Sequence, residues 1–139
     1  PEMKQYDASQ LVMSNYDNII DNDSAISLSA LTEQFHFEQA FYRYHTNNSD
    51  HMVSYGYSCR LEALIDEKWY IVPLKENHCF PAVKITMFGH AKNDFPVYLE
   101  MFECYPGKHR IILEAQKENT KEDGEMDNRI ILSCEFDLF

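Results

Sequence analysis

Residues 52–65 read MVSYGYSCRLEALI, and Val53, Tyr55, Tyr57, Cys59, Leu61, Ala63 and Ile65 occupy every second position. Ser54, Gly56, Ser58, Arg60 and Glu62 fill the places between, and Leu64 alone breaks the pattern. Successive side chains of a strand point to opposite faces, so the stretch predicts one long strand with a single apolar face. Working outward, Asp66-Glu67-Lys68 predicts a tight turn into Trp69–Val72, which makes a hairpin with the long strand. Pro73 lacks a backbone donor and marks a strand end or edge.

The same alternation returns downstream. Ala82–Phe88 carries Val83, Ile85 and Met87 in phase, and Val97–Tyr105 carries Val97, Leu99 and Met101. Pro106-Gly107 suits a type II turn into Arg110–Ala115. In the final segment, Arg129–Phe139, Ile130, Leu132, Cys134, Phe136 and Leu138 alternate with Ser133, Glu135 and Asp137.

Upstream, the spacing predicts helices. Asp7 stands three positions before Gln10, a capping-box spacing, and Ala8, Val12, Tyr16, Ile19 and Ile20 can share a face, giving a helix over 8–20. Asp21 to Ser24 breaks it with turn formers. Ser29 then caps a second helix, 29–45, whose apolar side is wide: Ala30, Phe37, Ala40, Phe41 and Tyr44 in one stripe, Leu31, Phe35 and Tyr42 in another. Two helices followed by about six strands on short connections predict an α+β domain. The expected form is a curved, mainly antiparallel sheet wrapped on the second helix, cystatin-like or NTF2-like in general architecture.

The chain has 139 residues, one domain's worth, with 45% hydrophobic and 14% aromatic content, a globular composition. It opens on Pro1 rather than Met, which leaves a removed leader open. No apolar run reaches the roughly 18 residues of a membrane span, and a soluble, cytoplasmic protein is expected. The net charge of −11 argues against nucleic acid or an anionic membrane as partner and favours basic protein surfaces. Cys59, Cys79, Cys104 and Cys134 include no close pair, which suits reduced thiols rather than a disulfide frame. Asn22-Asp23-Ser24 and Asn47-Asn48-Ser49 match the glycosylation sequon.

Catalytic and cofactor motifs are absent: no GxSxG, GxGxxG, GKS, GKT or HExxH occurs. His78-Cys79 with Glu76 is the best local set of metal ligands, yet its spacing matches no zinc pattern, and no metal or cofactor is expected. Cys104 and His109 meet only by luck of register. The leading expectation is a non-enzymatic, acidic binding module, of inhibitor or immunity type, docking on a basic partner protein. Its contact residues are placed in the biased run 117–128, at Glu122, Asp123, Glu125 and Asp127, against the reading of a solvated hairpin tip. The alternative is a small-ligand pocket, in a carrier or enzyme, between helix 29–45 and the sheet, edged by Tyr42, Tyr44, Tyr55 and Tyr57. Arg129–Phe139, if it lies at a sheet edge, predicts a homodimer or a strand-mediated complex.

Overall fold

The computed structural model describes residues 5–16, 25–30, 34–35, 41–76, 78–80, 82–118 and 129–139. They form eleven strands and two short 3-10 turns: β1 (Val12–Met13), β2 (Ile26–Ala30), β3 (Gln34–Phe35), β4 (Phe41–Asn47), β5 (Val53–Gly56), β6 (Arg60–Ile65), β7 (Lys68–Ile71), β8 (Lys84–Met87), β9 (Lys92–Val97), β10 (Gly107–Lys117) and β11 (Arg129–Leu138). The larger sheet runs β1-β7-β6-β10-β11-β3, with β5 placed between β10 and β8. The smaller sheet runs β2-β4-β9. The two pack face to face, β2 against β11, around a core that includes Ile26, Leu61, Ile111, Leu132 and Phe136.

The organising stretch is two strands on one line. Tyr55 lies opposite Ala115, and Arg60 lies opposite Ile112. The chain therefore takes five steps where β10 takes three, a bulge of two extra residues around Tyr57–Cys59. Because the excess is even, the phase survives it. Val53 and Tyr55 before the bulge and Leu61 and Ala63 after it are all buried. The expected hairpin at Asp66-Glu67 joins β6 to β7, with Ile65 opposite Lys68 and both turn residues at positive φ (51° and 66°).

The α+β expectation, with its cystatin-like or NTF2-like sheet around a helix, is overturned: among the described residues there is no α-helix, and the domain is a β-sandwich. The expected helix 29–45 is replaced at its end by strand β4, Phe41–Asn47, the central strand of the small sheet. The cause is an inverted pattern. Arg43, His45 and Asn47 are buried while Tyr42 stands 43% exposed, so the polar residues point inward and hide a strand's usual alternation. Ser29, read as a helix cap, belongs to β2, where Ile26 and Leu28 point in and Ser27 and Ser29 point out.

The expected helix 8–20 also fails where it is described. Asp7 does cap, accepting from the Ser9 N–H at 3.1 Å, but one 3-10 turn follows and the chain then extends to pair Val12 and Met13 with β7. The predicted strand Val97–Tyr105 gives way to a 3-10 turn at Leu99–Met101, since β9 is already complete at Val97.

The N-terminal arm, residues 5–16, pairs along the β7 edge of the large sheet, and its last residues, from Ser14 on, reach the sheet's outer face. Glu62 is fully buried there, with Arg110 Nε donating to it at 2.8 Å and Ser14 Oγ at 2.7 Å. The Arg110 guanidinium also lies 4.4 Å over the Trp69 ring. At the arm's other end the Tyr6 hydroxyl meets His109 Nε2 at 2.7 Å and accepts from the Tyr105 N–H. His109 Nδ1 faces the Gly107 carbonyl at 2.8 Å, so Nδ1 carries the proton and Nε2 accepts from Tyr6.

Candidate interaction surface

One end of the sandwich gathers the loop after β4, the turn between β8 and β9, and the end of β10 as far as Glu118. Asn47, fully buried at the end of β4, holds the first two together. Its Nδ2 donates to the carbonyls of His51 (2.8 Å) and Phe88 (3.2 Å), and its Oδ1 accepts from the Ser49 N–H (3.0 Å) and hydroxyl (2.6 Å). With Nδ2 so engaged, the Asn47 sequon is not a glycan acceptor in the folded chain. The Asn22 sequon lies outside the described residues. Gly89 fits because a Cβ there would come within 2.7 Å of the Ser49 carbonyl oxygen. His90 follows at φ 63° and its Nε2 reaches Asp50 Oδ1 at 2.7 Å.

The third segment is pinned at its base. The Glu118 N–H donates to the Met52 carbonyl at 2.8 Å, while its carboxylate accepts from Ser54 Oγ (2.9 Å) and Lys84 Nζ (3.3 Å). Those side-chain hydrogen bonds hold the Glu118 carboxyl below its ordinary range, and the His90 hydrogen bond does the same for Asp50. Both are therefore carboxylates throughout the neutral range. Beside them Phe88 stands 68% exposed, an apolar ring at an acidic rim. Glu122, Asp123, Glu125 and Asp127, the contact residues expected from the sequence, lie outside the described residues.

The four tyrosines of the alternative site do not converge. Tyr42 and Tyr44 project from the outer face of β4. Tyr55 is buried, its hydroxyl accepting from Asn93 Nδ2 at 3.1 Å and its ring 4.2 Å from His45. Tyr57 sits in the bulge, where its carbonyl and that of Gly56 accept from Arg43 Nη2 at 3.3 and 3.4 Å. Arg43 was beyond reach of sequence reasoning as an interior residue; the one signal was its place in phase with His45 and Asn47.

No three His, Cys, Asp or Glu residues are placed to hold a metal among the described residues. His78 turns its Nδ1 to the Glu76 carbonyl at 3.1 Å. Cys104 and His109 do not pair: the thiol faces the Leu99 carbonyl, and the imidazole is held by Tyr6 and Gly107. The far edge of β11 is occupied by β3, in parallel, at Asp137 and Leu138.

Two mainly antiparallel sheets packed face to face, with loops gathered at an end of the sandwich, define an immunoglobulin-like domain. The sequence agrees: residues 22–126 match the bacterial Ig-like domain family, and the chain belongs to it. The arm at 5–16 and strand β11 lie beyond the matched stretch. No curated protein matches the chain.

Proposed function

We propose that this domain is a non-enzymatic protein-interaction module that docks on a basic partner protein, as an inhibitor or immunity-type protein does. The observation that carries the proposal is Phe88, an exposed aromatic ring on a turn fixed by Asn47 and Gly89 and bordered by carboxylates. A rigid aromatic anchor supplies affinity once desolvated, and an acidic rim steers a cationic partner and fixes register. Asp50 and Glu118 form that rim, and the sequence that follows Glu118 carries Glu122, Asp123, Glu125 and Asp127, which we include among the contacts. The net charge of −11 supports the sign of the partner.

The test is to isolate the partner by pull-down and then measure affinity and its salt dependence with purified components. Phe88→Ser is expected to weaken binding by roughly thirtyfold or more, mainly through faster dissociation. Charge reversal of Glu122, Asp123, Glu125 and Asp127 is expected to slow association and flatten the salt dependence. Unchanged affinity in both variants contradicts the proposal. A homodimer through the C-terminal strand, Arg129–Phe139, is a separate element of the proposal; light scattering at micromolar concentration tests this, with a strict monomer counting against it.

A further inference from the structure

Strand β8 is an edge of the larger sheet. Val53–Gly56 of β5 lies against one side of it, and no described residue pairs with the other. The remaining edges are blunted. Strands β1 and β3 are two residues long, β9 carries Pro96, and β2 turns only Ser27 and Ser29 to solvent. On β8, Ile85 and Met87 point inward while Lys84 and Thr86 are exposed, in phase with Phe88 just past its end. Lys84 is the strand's one charge, and its bridge to Glu118 at 3.3 Å weakens it as a guard against pairing.

The row Lys84, Thr86, Phe88 is its own complement. Turned antiparallel about a two-fold axis at Thr86, a second β8 sets Thr86 against Thr86 and each Lys84 beside the partner's Phe88. The pairing makes one cation–π contact twice. Behind each ring stands the Asp50 loop, whose backbone lies against Gly89, so the ammonium also approaches an acidic segment. On the inner side Ile85 lies opposite the partner's Met87, and Val83, 44% exposed, gains cover.

We propose that two copies of this chain pair antiparallel through β8, Thr86 on Thr86, joining their larger sheets into one. A contact of about six residues a side is smaller than a standard stable interface, so Kd is on the order of 0.1 mM. The dimer covers Phe88 and therefore competes with the docking proposed above, but the pairing does not rest on that docking.

The test needs only the full chain. Sedimentation equilibrium is expected to show a mass rising from near that of one chain at about 10 μM to mostly two at about 1 mM. Phe88→Ser removes both ring contacts and is expected to weaken the dimer about tenfold. Thr86→Lys sets two ammonium groups face to face at an exposed position and is expected to abolish it. Register is read by oxidative linkage. Thr86→Cys places two thiols across the axis at about 4.5–5.5 Å between Cα atoms, within disulfide reach, whereas Lys84→Cys faces a phenylalanine. Thr86→Cys is expected to link at least about tenfold faster than Lys84→Cys, each measured above the unaltered chain. A strict monomer up to about 1 mM, a dimer that Thr86→Lys leaves intact, as one built on Arg129–Phe139 would be, or equal linkage of the two cysteine variants overturns the proposal.

Discussion

Replacing Asn47 with alanine removes four well-made hydrogen bonds from a fully buried side chain and uncouples two loops. At about 1 kcal/mol net for each bond, the expected loss is roughly 2–4 kcal/mol in a denaturant titration. Asn47→Asp should fare no better, because it deletes the donor and buries a charge. His45 gives a second residue-scale prediction. Burial first, and the Arg43 charge second, hold its imidazole down from 6.5 to about 3. The unfolded chain therefore takes up a proton below pH 6.5 that the native state refuses. The stability tied to the neutral ring is full above that pH and falls as pH drops toward 3. His109, also lowered by burial, adds to the same trend. Between pH 7 and 5 the loss from His45 is about 2 kcal/mol, from roughly 1.4 kcal/mol per pH unit. His45→Phe should flatten that slope in urea melts at the two pH values; an unchanged slope contradicts the assignment.

At the scale of elements, the β6–β7 hairpin turns through two non-glycine residues at positive φ, a conformation that favours Asn-Gly. Asp66→Asn with Glu67→Gly should raise stability by about 1 kcal/mol, seen as a higher urea midpoint with an unchanged slope. Gly89→Ala should act in the opposite direction, since its Cβ would collide with the Ser49 backbone. This hairpin and the β5–β6 line were legible because their inward residues are apolar and the bulge keeps phase. Strand β4 was not. Its inward residues are Arg43, His45 and Asn47, each held by the interior for a reason that arises only after folding. An Arg that serves two bulge carbonyls, and an Asn that serves two loops, leave no apolar period for a reader to find. The acidic connection was legible as a run of charge. Phe88 read as the end of a strand, because nothing local shows that Met87 is the last residue turned inward.

For the whole molecule, the arm at 5–16 lies, like β11, outside the family match, yet it covers the buried Glu62–Arg110 pair. Deleting residues 1–16 should leave the sandwich folded but expose Arg110 and the ring it stacks on. Trp69 is the sole tryptophan, so its emission should shift to the red while the far-ultraviolet dichroism stays that of a β protein. An unshifted emission would show that the arm does not shield this face.

The Phe88 surface is tested most directly by hydrogen exchange of the domain alone and in complex with its basic partner. Residues 48–52, 86–91 and 117–128 are predicted to gain protection together on binding, with the Tyr42–Tyr44 face of β4 unchanged. Protection confined to β4 and β9, with the Phe88 turn exchanging as in the free protein, would contradict the account.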